Sequence, residues 1–169
     1  MRRLPGTRGG VENPGGDVVD DLLGAGFSAI TALDISENAL ATLQQRLGDR
    51  AAAVEWVSAD ITNVELPPAT FQLWHDRAVL HFLTDPAERA RYRQQLFDAL
   101  RPGGHVIIGV FSPDAPPRCS GLPVHRYALN DLVDLLGEGF ERVRDANELH
   151  ITPGGVEQAY LYCQFTKIA

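Results

Sequence analysis

Short apolar runs alternate with amphipathic stretches along most of this chain. The segment 17–23 carries its valines and leucines at helical spacing, which predicts a short helix. An apolar run over 28–33 that ends at Asp34 predicts a buried strand. Ser36 is a favourable N-cap for a second helix, and Gly48 predicts the end of that helix.

The same alternation continues to the C-terminal end. Asp85 is a capping residue and Pro86 suits the first helical position, so a third helix is expected from there to Pro102. Strands that are separated by single helices predict a doubly wound α/β fold with a mostly parallel sheet. Further strands are expected over 53–57, 71–75, 105–111, 140–144 and 158–166, and a short helix over 130–136.

Residues 1–16 show neither a helical nor a strand pattern. They read MRRLPGTRGGVENPGG and are rich in glycine and proline, which predicts an N-terminal arm. The remaining residues, 17–169, are expected to form one domain, since a chain of 169 residues is long enough for a single core.

Composition and charge narrow the classes of partner. The net charge is −7, and an acidic chain gains little from a phosphate backbone, so nucleic acid is not expected as a partner. Cys119 and Cys163 fit neither a zinc site nor a disulfide scaffold, and no metal site is expected. No apolar stretch is long enough for a membrane span, and no signal peptide is recognisable. A cytoplasmic location without a membrane partner follows by elimination.

Two carboxylates stand at the ends of consecutive predicted strands. In doubly wound sheets, ligands bind beyond the carboxyl ends of the strands. Asp34 could accept hydrogen bonds from the ribose hydroxyls of a nucleotide-like cofactor, and it lies roughly 20 residues after Gly15 and Gly16, the interval typical of dinucleotide sites. Asp60 could accept from an exocyclic amine such as that of adenine. The alternatives are a helix-capping or solvated role for Asp34 and a turn-forming role for Asp60.

A third polar group, His75-Asp76-Arg77, follows the strand predicted over 71–75. Such a cluster could orient a substrate or take a proton, and His81 lies close behind it. The alternative is that Asp76 and Arg77 pair with each other or with a neighbouring helix. The spacing of His75 and His81 is not typical of a metal site.

Several segments, taken in order, resemble class I S-adenosylmethionine-dependent methyltransferases. TALDISENALATL, at 31–43, is similar to the second strand and following helix of that family, and VEWVSADITNVELPPATFQLWHDRAVLHFL, at 54–83, to its third and fourth strands. LRPGGHVIIGVF, at 100–111, resembles the fifth strand. WHDRAVLHFL and RCSGLPVHRY resemble a bacterial subgroup of small methyltransferases. The resemblance implies a Rossmann-like, mostly parallel sheet with an antiparallel last strand.

The resemblance also implies roles for the candidate residues. The methyl donor S-adenosylmethionine would be bound by its ribose at Asp34, with Ile35 alongside, and by its adenine at Asp60, with Ile61 beside the ring. Gly15, Gly16 and His75 would also approach this cofactor. Asp76, Arg77 and His81 would face the substrate. The expected reaction is methyl transfer to an unidentified small-molecule or protein acceptor.

One part of the family pattern is degraded or missing at the start of the chain. The family begins with an apolar strand that runs into a glycine-rich turn and lies in the middle of the sheet, whereas this chain reads TRGGVENPGG at 7–16. Loss of a central strand would leave backbone groups of its two neighbours unpaired, which predicts reduced stability or a homodimer that covers the exposed edges. Residues 113–123 are expected to form a loop that closes over the acceptor.

Two other functions stay open on these residues. The degraded start favours a catalytically inactive protein that keeps the fold but has lost cofactor binding. Asp34 would equally suit a nicotinamide-dependent oxidoreductase, although the G-x-G-x-x-G motif of such enzymes is missing from the chain.

Overall fold

The computed structural model describes residues 18–152 and 154–168. Helices and strands alternate through the first two thirds of these ranges, and two long strands close them. The helices are α1 (Val18–Gly24), α2 (Glu37–Leu47), α3 (Pro86–Ala99) and α4 (Leu129–Leu136). The strands are β1 (Ile30–Asp34), β2 (Val54–Ser58), β3 (Phe71–Arg77), β4 (Leu100–Phe111), β5 (Arg118–Cys119), β6 (Leu122–Pro123), β7 (Phe140–Ile151) and β8 (Glu157–Lys167).

The two long helices begin at the capping residues that the sequence predicts. The Ser36 hydroxyl accepts a hydrogen bond from the Ala39 N–H at 3.2 Å, and the Asp85 carboxylate accepts one from the Ala87 N–H at 2.9 Å. Each satisfies an amide that the first helical turn leaves without a partner. Gly48 follows α2 with a φ of 55°, a conformation that glycine adopts without strain.

The strands pair in both parallel and antiparallel directions and alternate with helices, which confirms the predicted α/β fold class. β1 pairs in parallel with β2, and β3 pairs in parallel with β4. β8 runs antiparallel to β4, and the edge strand β7 runs antiparallel to β8. The predicted antiparallel last strand is therefore confirmed.

The described strands do not form one continuous sheet, and the segment 7–16, on which the prediction of a missing or distorted central strand rests, lies outside the described residues. Among the described residues, β1–β2 and β3–β4–β8–β7 are separate ladders. Side-chain packing nevertheless crosses this interruption, because Leu33 of β1 and Ile61 belong to the same buried cluster as Trp74 of β3. Residues 1–16, predicted as the N-terminal arm, lie outside the described residues.

The structure corrects several predicted boundaries, among them those of β3, β4 and β7, the last of which extends to Ile151 rather than 144. His75-Asp76-Arg77 is the last part of β3 rather than the loop after it, because the ladder with β4 continues as far as the pairing of Arg77 with Gly109. β4 begins at Leu100 rather than at His105. Phe71 pairs with Leu100 and Leu73 with His105, so the residues between Leu100 and His105 bulge out of the strand.

The main core lies between the larger ladder and the helices α3 and α4. Its fully buried members include Tyr92, Leu96, Ile108 and Leu132. A smaller core joins α1 and α2 to β1 and β2. None of the helices in the described ranges has the length and apolar character that a membrane span requires.

Candidate functional site

A cleft of about 500 Å³ lies at the carboxyl ends of β1 and β2. Its volume is within the range of small-molecule sites, roughly 300–1,000 Å³. The far wall is formed by the segment after β3 and by the β5–β6 hairpin. The lining residues are Leu33, Asp34, Ile35, Ala59, Asp60, Ile61, Ala78, Val79, Phe82, Leu83, Thr84, Leu122 and Pro123.

Asp34 is the last residue of β1 and offers a hydrogen-bond acceptor to the cleft. Its Oδ1 accepts a hydrogen bond from the Ser36 N–H at 2.7 Å. Its other carboxylate oxygen accepts no hydrogen bond within the described part of the chain. Burial raises the pKa of Asp34 above its ordinary value, and the Ser36 N–H opposes that rise. The predicted alternative in which Asp34 caps the following helix is not met, since it is Ser36 that caps α2.

Asp60 follows β2 and combines a turn-forming role with a position on the cleft. Its Oδ1 accepts from both the N–H and the hydroxyl of Thr62, each at 2.8 Å, and its Oδ2 accepts from the Asn63 amide at 2.8 Å. Burial alone would raise the pKa of Asp60, but these hydrogen bonds together lower it below its ordinary value. The carboxylate is thus rigid and ionised, and Oδ2 retains capacity for a second donor.

Apolar side chains flank the two carboxylates. Ile35 is 74% exposed and Leu122 is 58% exposed, although both line the cleft. Ile61 is buried and forms part of the cleft floor. Two carboxylate acceptors between apolar walls match a nucleoside, which presents hydroxyl and amine donors around a flat ring. These acceptors and apolar walls therefore fit the nucleoside part of S-adenosylmethionine.

The prediction that Asp76 faces the substrate requires a correction, because its carboxylate is buried in the protein interior. The side chain is 1% exposed. Its oxygens accept from the N–H groups of Val79 (2.9 Å) and Leu80 (3.1 Å) and from the Tyr92 hydroxyl (2.6 Å). Burial raises the pKa of Asp76 despite these three donors. Asp76 is therefore a positioning residue that holds the segment lining the cleft, not a group that faces substrate.

His81 is also withdrawn from the cleft. It is fully buried, and its Nδ1 accepts a hydrogen bond from the Phe111 N–H at 3.3 Å. Its ring packs edge-on against Phe82 and Phe111. Burial lowers the pKa of His81 to about 4, so the imidazole is neutral. The prediction that His81 faces the substrate does not agree with this packing.

The remaining predicted site residues lie elsewhere. His75 is buried in β3, and neither it nor Arg77 is among the described residues that line the cleft. Arg77 is half-buried on the sheet face opposite Asp76, so the predicted Asp76–Arg77 pair does not form. Gly15 and Gly16 lie outside the described residues.

Several lining residues were missed by sequence reasoning. Ala78 turns the chain out of β3 with a φ of 69°, which places it and Val79 in the cleft wall. Leu122 and Pro123 reach the cleft from the β5–β6 hairpin, within the segment predicted as a loop over the acceptor. That loop prediction was the signal that could have identified them.

Comparison with known proteins decides the family. Residues 15–104, more than half of the chain, match a family described as a methyltransferase domain. The chain belongs to this methyltransferase family. The predicted resemblance to class I S-adenosylmethionine-dependent methyltransferases and the predicted cofactor are thereby confirmed, and the oxidoreductase alternative is wrong.

Individual relatives agree with the family. The chain is 30% identical over 78 residues to the mouse (Mus musculus) eEF1A lysine and N-terminal methyltransferase, a match that covers 46% of this chain and 11% of the relative. It thus spans about a tenth of that protein.

Two solved structures extend the similarity to nearly the whole chain. An S-adenosylmethionine-dependent methyltransferase from Mesorhizobium loti has a TM-score of 0.78 and 20% identity, covering 99% of this chain and 94% of that one. The 1,6-didemethyltoxoflavin N1-methyltransferase of Burkholderia thailandensis, solved with S-adenosylhomocysteine, has a TM-score of 0.69 and 25% identity, covering 96% and 72%.

Proposed function

We propose that this protein transfers the methyl group of S-adenosylmethionine to a nitrogen atom of a small-molecule or protein acceptor. Residues 17–169 would form the methyltransferase-like domain. The observation that carries this proposal is the pair Asp34 and Asp60, which lie at the carboxyl ends of neighbouring parallel strands and share one cleft with apolar walls.

A nitrogen acceptor is supported by the relatives. The mouse relative is named as a methyltransferase of lysine and N-terminal groups, and the Burkholderia enzyme as an N1-methyltransferase. These proteins differ in acceptor size but share the element that is methylated. The net charge of −7 favours attraction of cationic amines over nucleic acid.

The residues of the cleft would bind and orient the cofactor. The free oxygen of Asp34 would accept from ribose hydroxyls, and Oδ2 of Asp60 from the adenine amine. Ile35 and Leu122 would cover the faces of the ring. When bound, S-adenosylmethionine supplies a methyl group on a positively charged sulfur. Transfer to nitrogen depends mainly on close, in-line approach.

The amine would lose its proton to solvent. Among the described residues that line the cleft, the titratable side chains are the two aspartates. Asp60, whose pKa is lowered, is a poor base, and His81 is buried away from the cleft. An acceptor amine that enters the cleft uncharged needs no protein base, so transfer should become faster as the pH approaches the pKa of that amine.

Methyl transfer can be tested with S-adenosylmethionine labelled in its methyl group. The purified chain would be incubated with lysine-containing peptides, peptides with a free N-terminal amine, and small heteroaromatic amines, each beside its oxygen analogue. The proposal expects label on nitrogen in at least one class and none on the oxygen analogues. Label only on oxygen would overturn the nitrogen assignment. Cofactor binding without transfer to any panel member would favour the inactive alternative.

A further inference from the structure

Arg77 is a half-buried cation that has no acidic partner among the described residues. It lies at the carboxyl end of β3, and within the described residues it forms no ion pair. Its Nε is buried and has no hydrogen-bond partner in that part of the chain. Withdrawing a guanidinium from water without a counter-charge is costly, so such groups normally meet a carboxylate or a phosphate.

The acidic residues nearby do not supply that partner. Asp76 precedes Arg77, but its oxygens are occupied on the opposite face of the sheet by Tyr92 and two amides. Glu148 pairs with Tyr160 in the β7–β8 ladder and influences the pKa of that tyrosine without forming an ion pair with Arg77.

Two tyrosines hold the guanidinium in place. It lies 5.5 Å from the centre of the Tyr160 ring and also interacts with the Tyr162 hydroxyl. Tyr162 reaches the guanidinium because its ring lies flat over Gly109, which pairs with Arg77 of β3 and with Tyr162 of β8. A Cβ at Gly109 would be 2.5 Å from Tyr162 Cε1. A ring face and a hydroxyl engage only part of the five N–H donors of arginine.

This group is adjacent to the cofactor cleft. Ala78, the residue after Arg77, lines the cleft and also packs in a cluster with Tyr160 and Phe111. Since the guanidinium lies over the ring of this same Tyr160, it is close to the Ala78 end of the cleft.

We propose that Arg77 binds a ligand carboxylate at the Ala78 end of the cleft. The carboxylate belongs either to the amino-acid end of the cofactor or to the methyl acceptor. Both assignments rest on the proposed function. Tyr160 and Tyr162 position the guanidinium, and the half-buried site strengthens a bidentate pair.

Calorimetric titration separates the two sources. S-adenosylhomocysteine carries the amino-acid carboxylate, whereas 5′-methylthioadenosine keeps the nucleoside and lacks it. If the cofactor supplies the carboxylate, Arg77→Gln should weaken S-adenosylhomocysteine about 10-fold or more and leave methylthioadenosine unchanged. Arg77→Lys should weaken it less, because the charge is kept and only the bidentate geometry is lost.

The acceptor source is tested with malonate on the protein loaded with S-adenosylhomocysteine. Malonate should shift the Arg77 Nε–H resonance, identified by its loss in Arg77→Gln, while both nucleosides bind that variant normally. Arg101→Gln is the matched control, because Arg101 also has a buried Nε without a described partner but lies at the opposite end of the ladder.

The two proposals can fail separately. Equal binding of both nucleosides by wild type and Arg77→Gln, together with no effect of malonate, would overturn the carboxylate site alone. A wild-type protein that binds neither nucleoside would contradict the proposed function, and the malonate titration of the free protein would still decide whether Arg77 binds a carboxylate.

Discussion

The Tyr92 hydroxyl donates a 2.6 Å hydrogen bond to Asp76 Oδ2, and both side chains are buried between β3 and α3. Trp74 extends the chain of donors by bonding the Tyr92 oxygen at 3.1 Å. Because Asp76 also binds the Val79 N–H, this buried network connects helix α3 to the wall of the cleft. Asp76, the acidic residue among the predicted catalytic candidates, therefore supports the cleft wall and does not face the cleft.

Removal of the Tyr92 hydroxyl should destabilise the protein. Tyr92→Phe leaves the Trp74 N–H and one Asp76 oxygen without this partner, a loss expected to cost about 1–3 kcal/mol of unfolding free energy. Urea denaturation measures it. Tyr127→Phe is the matched control, since the Tyr127 hydroxyl is buried without a hydrogen-bond partner among the described residues and should be dispensable. Equal losses in the two variants would contradict the network.

The stability of the fold should depend on pH through His81. Its pKa is about 4 in the folded protein and about 6.5 in the unfolded chain. Between these values the unfolded state binds the extra proton, so the free energy of unfolding rises with pH and reaches its full value above about 6.5. The span corresponds to about 3 kcal/mol.

Urea denaturation at several pH values would show this dependence. His81→Phe should be less stable near neutral pH, because the Phe111 N–H loses its acceptor, but it should lack this part of the slope. His105→Gln, at an exposed histidine, should keep the wild-type slope. An unchanged slope in His81→Phe would show that another group titrates.

The close approach of Tyr162 to Gly109 predicts a steric effect. Gly109→Ala would place Cβ 2.5 Å from the ring, and displacing a packed tyrosine should cost about 1–3 kcal/mol. Gly24→Ala is the control, because nothing lies within 4 Å of its added Cβ. Thermal unfolding compares the two, and similar melting temperatures would contradict the packing of Tyr162 on Gly109.

Local patterns in the sequence predict the architecture well. The caps Ser36 and Asp85 and the apolar strand before Asp34 depend on contacts within a few residues, and all three agree with the structure. The general rule that ligands bind beyond the carboxyl ends of the strands predicts that Asp34 and Asp60 lie at one site, and both line the cleft.

Residue roles that depend on the face of a strand could not be predicted. Asp76 and Arg77 are neighbours in sequence, yet alternation within β3 sends them to opposite sides of the sheet. The two side chains are separated in this way because β3 continues as far as Arg77. That length depends on pairing with β4, which is distant in the chain. The packing of His81 between Phe82 and Phe111 is likewise a tertiary effect without a local signal.

The most direct test of the account is calorimetric titration of S-adenosylhomocysteine into the wild type and Asp34→Asn. The variant keeps the shape and an acceptor for the Ser36 N–H but loses the charge that ribose hydroxyls would meet. We predict micromolar binding by the wild type, and binding at least about 10-fold weaker by Asp34→Asn. Asp114→Asn, at an exposed aspartate outside the cleft, should bind like the wild type. Equal affinity of all three proteins, or no binding by a folded wild type, would contradict the proposal that Asp34 anchors the cofactor in this cleft.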